Sequence, residues 1–173
     1  MKEALTAIIV WLSRIGHCRG FGIQSPTDYW LVRYVINEHW PYYQYDVLGK
    51  DDDWLTRKLG RLYFRLANWR QPSVIQSNGY RAYLGAGCRK ALFSHDTEKV
   101  ELMRISLPLD AVEPIYNKVD NRSVLIVEGI RGEKERWRRI VEDERTVVTF
   151  DLYYCGIVLF DKTRFKKHYI INF

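Results

Sequence analysis

A short apolar run, Val74-Ile75, leads into Gln76-Ser77-Asn78-Gly79, where a nucleotide-binding α/β protein sets a glycine-rich turn that lets backbone approach its ligand. This turn carries a single glycine, and Tyr80 and Arg81 follow it with bulk and positive charge. Gln76 supplies hydrogen bonds but no charge. Gly85-Ala86-Gly87 also spaces two glycines, yet it follows a helical pattern and lacks the third glycine and the lysine-serine pair of a phosphate loop, so it reads as a helix C-terminus. His17, His39, His95 and His168 show none of the close His/Cys/acid spacings of a metal site, and no metal is expected. They read as surface or packing residues, although His95 stands where it could serve as a base beside the turn. No nucleophile elbow supports a serine or cysteine hydrolase.

Two other groups carry potential for binding. Arg57, Arg61 and Arg65 recur every four residues and form one helical stripe, and Trp40, Tyr42, Tyr43 and Tyr45 cluster just before it. Three readings of the aromatic cluster stay open: packing of a helical appendage over the sheet, which is favoured, a lid over a crevice, and a platform on which bases stack beside the arginines. Arg131, Lys134, Arg136, Arg138 and Arg139 alternate with Glu133 and Glu135 and read as an ion-paired solvated face. The net charge of +6 bears on solubility more than on partners.

The elements that must position these groups follow from pattern. The 173 residues, 47% hydrophobic and 28% charged, describe a globular chain with a core of its own and no disordered tract. We read residues 1–173 as a single domain, with 1–72 a helical segment and 73–173 an α/β sheet core. Ala4 to Leu12 is far shorter than the roughly 20 apolar residues of a membrane span and reads as a packing helix, so no membrane role is expected. Ser25-Pro26-Thr27-Asp28 has the order of a helix start and predicts a helix over about 26–37. Asp51-Asp52-Asp53 precedes a second helix with Leu55, Leu59, Leu62 and Leu66 on one stripe, ended by Gln71-Pro72. Strands are expected at 74–75, 90–94, 100–106 and 123–127, alternating with helices at about 80–87, 109–119 and 133–143, which implies βαβ units and a mostly parallel sheet. Three terminal strands follow, at 147–152, 156–160 and 169–173; the link between the first two is too short for a crossover, so they should pair antiparallel. Cys18, Cys88 and Cys155 show no paired spacing, which fits a reducing cytoplasm rather than a disulfide framework.

Several stretches together resemble bacterial class I S-adenosylmethionine-dependent methyltransferases of the small-molecule O-methyltransferase type. They are Gly20-Phe21-Gly22-Ile23-Gln24-Ser25-Pro26, Tyr42-Tyr43-Gln44-Tyr45, Leu62 to Asn68, Thr149-Phe150-Asp151-Leu152, Gly156 to Phe160, and Lys167 to Phe173. They cover most of the chain, though none is a catalytic signature. Where that family usually has histidine before and phenylalanine after the Ser-Pro pair, Gln24 and Thr27 stand here, and one strand-helix unit is absent between Asp96 and Val100.

The resemblance implies a Rossmann-like class I methyltransferase fold: a mostly parallel sheet with antiparallel C-terminal strands and an N-terminal helical appendage. It implies S-adenosylmethionine at Gln76, Ser77, Asn78 and Gly79, with Asp96 on the ribose hydroxyls. It also implies a small-molecule acceptor near the ends of the later strands, where relatives place several carboxylates but this chain has only Glu128, too little for a metal-assisted mechanism. The expectation is therefore a methyltransferase-like protein with eroded cofactor and acceptor sites. If it is active, His95 is an optional base and the catalytic residues are otherwise unassigned. The alternative is a non-enzymatic interaction module, as a homodimer or with a protein partner. Weak single-stranded nucleic-acid binding along the arginine stripe ranks third.

Overall fold

The computed structural model describes residues 2–173. Its centre is a seven-stranded sheet with β1 at Val74–Gln76, β2 at Leu92–Phe93, β3 at Leu102–Ser106, β4 at Val124–Glu128, β5 at Val148–Asp151, β6 at Cys155–Leu159 and β7 at Lys167–Ile170, in the order β2-β1-β3-β4-β6-β5-β7. Every strand runs in one direction except β6, which lies antiparallel between β4 and β5. The expected antiparallel pairing of the first two terminal strands is thus present. The third departs from the expected antiparallel C-terminal strands: β7 pairs parallel with β5, and its range is Lys167–Ile170 rather than 169–173.

The alternation of side chains along the strands separates two cores. On one face Ile75, Leu102, Ile126, Phe150 and Ile157 pack beneath the helical segment; on the other Met103, Ile105, Leu125, Val127 and Val158 pack against the last helix. The helical segment comprises α1 (Lys2–Ser13), α2 (Pro26–Leu31) and α3 (Trp54–Arg70), and α4 (Arg81–Gly87) joins the same face. The last helix, α5 (Lys134–Glu142), covers the other. Here Trp137 packs against Gly156, where any Cβ would sit 2.3 Å from the indole.

Local chemistry fixes the helix starts. The Ser25 hydroxyl accepts from Asp28 N at 3.3 Å with Pro26 at the first position, and Asp53 Oδ1 accepts from Leu55 N and Thr56 N at 2.8 and 2.9 Å. The end of the first of these helices departs from expectation. After Leu31 the chain widens into a π-turn over Val32–Ile36, closed by Asn37 N donating to Val32 O at 2.9 Å. Nor does a full helix fill 109–119. Asp110 Oδ2 accepts from Ser106 N at 2.8 Å, and only a 3₁₀ turn, Glu113–Asn117, forms behind it.

Two ion pairs join the helical segment to the end of the chain. Asp28, 2% exposed, accepts from Arg164 Nη1 at 2.8 Å and Tyr169 Oη at 3.1 Å. Arg14 reaches Asp151 Oδ1 at 2.7 Å. Otherwise α1 corrects the expectation of a packing helix: Leu5, Ile8, Ile9 and Leu12 are each 55–60% exposed, and among its described side chains only Val10 is buried. Ile8→Ser should therefore change unfolding free energy by no more than about 0.5 kcal/mol, as surface substitutions do. A chemical denaturation curve shifted by several times that amount would show that Ile8 is covered in solution. No helix among the described residues is long and apolar enough to cross a membrane.

Candidate functional site

The direction of connection reverses at β1, with β2 on one side and β3 on the other, and the crevice beyond the C-terminal ends of strands at such a switch point is where open α/β sheets take ligands. Gln76 ends β1 there, with its side-chain Oε1 buried and without a hydrogen-bond partner among the described residues. Ser77 Oγ donates to the Gly79 carbonyl at 2.6 Å and closes the turn on itself. Gly79 does not occupy a left-handed position, and a Cβ there would meet only ordinary contacts, the nearest being Arg104 Nη1 at 3.5 Å. The left-handed residue is Tyr80, at φ +56°. The conformation for which such turns employ glycine is here adopted by a tyrosine.

Tyr80 packs its ring into a set of side chains at the strand ends, on the α3 side. Its ring lies edge-on to Tyr63 with centroids 4.8 Å apart, and the Arg104 guanidinium sits 5.1 Å from its centre. Arg104, on β3, forms a two-pronged ion pair with Glu128, the last residue of β4, with Nε donating to Oε1 at 2.8 Å and Nη2 to Oε2. The fully buried Tyr63 on α3 donates its hydroxyl to the same Oε1 at 2.6 Å. Burial acts against the Arg104 cation, but the hydrogen bonds and charge of Glu128 outweigh it and raise the guanidinium above its ordinary value. Burial and then Glu128 push the Tyr80 phenol up to about 12. Burial pushes the adjacent Cys155 thiol up as well, so it is a packing group rather than a nucleophile.

The space left at the strand ends is a cavity of about 150 Å³, lined by residues that include Gln76, Asn78, His95, Arg104 and Lys118. Small-molecule sites run from roughly 300 to 1,000 Å³. Gln76 and Asn78 thus meet at one cavity with His95, whereas Ser77, Gly79 and Asp96 are not among its lining. Asp96 is exposed, its backbone N–H donating to Ser94 Oγ at 3.2 Å.

A larger cavity, about 520 Å³, lies on the helical face between the π-turn and α3. It joins the two groups singled out by type and spacing: Trp40, Tyr42 and Tyr45 form part of its wall with Arg57, Arg61 and Arg65, while Tyr43 points away and is 91% exposed. The stripe is not three equivalent cations. Arg57 donates to the carbonyls of Gly49 and Asp52, both at 2.8 Å, and Arg65 to those of Val35 and Ile36 at 2.6 and 2.8 Å. Among the described residues Arg61 has no such anchor; its guanidinium lies 4.7 Å from the Tyr45 ring centre and its Nε is buried without a partner.

Sequence reading missed Tyr63 and Arg104, and took Glu128 only as an acid lacking companions. One signal was present: in Leu102-Met103-Arg104-Ile105-Ser106 the arginine shares the inward face of an apolar strand, which requires a buried acid nearby. Among the described residues no three His, Cys, Asp or Glu side chains converge as metal ligands would. No protein-family model, curated protein or solved structure matches the chain.

Proposed function

We propose that this chain is a methyltransferase-like α/β domain that no longer transfers methyl groups from S-adenosylmethionine and works as a non-enzymatic binding module. The observation that carries the reading is the Arg104–Glu128–Tyr63–Tyr80 set at the strand ends, together with a cavity there of only about 150 Å³ that has Arg104 in its wall. The strand order supports kinship with a doubly wound sheet: removing the third strand from the order 3-2-1-4-5 leaves the arrangement seen in β2-β1-β3-β4. Residues 94–101, which join β2 to β3 without a helix, stand where that unit would have been.

The residues at the crevice do not fit the cofactor. A sulfonium nucleoside bearing an ammonium needs close backbone and a negative partner. Gln76 offers no charge, the Glu128 carboxylate is engaged by Arg104 and Tyr63, and Tyr80 holds the position where backbone would have to be bare. Calorimetric titration of the full chain with S-adenosylmethionine, and with its demethylated product, should give no binding heat up to millimolar ligand. A micromolar Kd for either would overturn the reading.

A further inference from the structure

The cavity on the helical face is where the ligand of such a module would sit, and its walls state the chemistry. Asn37, 8% exposed, follows the π-turn and is part of the wall, and its buried Nδ2 has no acceptor among the described residues. The buried Nε of Arg61 is likewise without one. Lys58, one helical turn before Arg61, lies 4.3 Å from the Phe173 ring and 5.3 Å from that of Trp54, and no carboxylate among the described residues pairs with it. Two acids stand in the wall as well: Glu38, which accepts from Tyr42 Oη at 2.7 Å, and Asp46, so that the four cations Arg57, Lys58, Arg61 and Arg65 outnumber them.

A buried donor without an acceptor is costly, and native structures rarely leave one. Lys58 and Arg61 bring two cations into one wall, and neither forms an ion pair with a carboxylate among the described residues, which calls for an anion. Burial, and next to it the Arg65 charge, hold both Lys58 and His39 below their ordinary values; an anion among these groups would relieve that repulsion. The remaining wall is aromatic. The Trp40 indole is 72% exposed at the cavity, giving a flat surface on which a ring can stack, whereas the Tyr45 ring is packed against Tyr42, Phe64 and Arg61. A volume of about 520 Å³ suits one small molecule.

We infer that this cavity binds a nucleoside monophosphate-like ligand, its phosphate received by Lys58 and Arg61 and its planar base stacked against Trp40. The inference rests on the binding-module reading and names that module's ligand class. The ligand is a mononucleotide rather than a nucleic-acid strand, because Arg57 and Arg65 are committed to backbone carbonyls, which leaves only Lys58 and Arg61, one helical turn apart, for a phosphate among the cations of the wall.

The test is calorimetry on the full chain with AMP, adenosine, inorganic phosphate and a ten-nucleotide single strand as probes. AMP should bind with micromolar Kd, adenosine and phosphate each at least ten-fold more weakly, and Lys58→Gln and Arg61→Gln should each weaken AMP ten-fold or more while circular dichroism stays unchanged. Lys58 makes no hydrogen bond among the described residues, so its variant keeps the test open if Arg61→Gln fails to fold. No AMP binding at millimolar concentration, equal binding of adenosine, or an affinity that survives both substitutions would overturn the inference. Tighter binding of the single strand than of AMP would overturn it in favour of a strand-tracking surface. S-adenosylmethionine binding unaffected by Lys58→Gln would instead strike the closed-crevice reading, so the two failures are distinguishable.

Discussion

Glu128→Ala is expected to cost about 3 kcal/mol or more of folding stability, the range for breaking one side of a buried ion pair. The side chains of Arg104 and Glu128 are only 14% and 17% exposed, so the variant leaves a guanidinium with little access to water and no counter-charge. It also removes the acceptor of the fully buried Tyr63 hydroxyl, and both orphaned groups contribute to the loss. For a chain of this length the melting temperature should fall by roughly 6–12 °C, since each kcal/mol is worth about 2–4 °C. Urea unfolding followed by tryptophan fluorescence measures it directly. The double variant Arg104→Met with Glu128→Leu should recover most of the loss, because an apolar pair removes both charges together. A deficit under about 0.5 kcal/mol for the single variant would mean that water reaches the pair, and the crevice would then not be closed.

The same constellation shows why the site was only half legible in the sequence. The turn at Gln76 to Gly79 is a local feature, and its poverty in glycine could be read from adjacent letters. What occupies the crevice could not. Tyr63 and Glu128 are separated by 65 positions and meet only after the sheet has formed and α3 has docked across it. The strands themselves were readable where apolar runs are bounded by turn residues, as in β4 and β6, because a strand buried on both faces is a continuous apolar run.

Element ends were lost where distant groups intervene. The start of α2 is written in Ser25, Pro26 and Asp28. Its π-turned end depends on a guanidinium from α3, and the helix expected at 109–119 gives way where Asp110 captures the Ser106 amide. The exposed stripe of α1 makes the complementary point. Periodicity announces an apolar face but not whether the same chain covers it.

Arg65→Met should be the other large loss, about 2–4 kcal/mol, and it joins the stability of the helical segment to the cavity beside it. Arg65 is 7% exposed, and its partners are carbonyls and a phenol rather than a carboxylate: Nε donates to Val35 O, Nη2 to Ile36 O, and Nη1 to Tyr45 Oη at 3.3 Å. Those carbonyls belong to the π-turn, where the helix ladder has opened and leaves acceptors to be satisfied from outside. Methionine keeps much of the stem but supplies no donor, and hydrogen bonds from a charged group are worth about 1.5–3 kcal/mol each, part of which is regained by no longer burying the cation. Lysine is expected to rescue little, since a point charge cannot serve two carbonyls as the planar fork does. A purely structural role would stop there. The Arg65 charge is also the second cause, after burial, of the depressed His39 pKa, so in the folded variant the histidine should titrate at higher pH, measured from its ring protons by NMR. The sign is fixed: a depressed pKa disfavours the protonated ring in the folded state, and removing a neighbouring cation relaxes that penalty. An unmoved His39 titration would separate the arginine from the field of the cavity, and a stability loss below about 1 kcal/mol would mean that water can replace it at the π-turn.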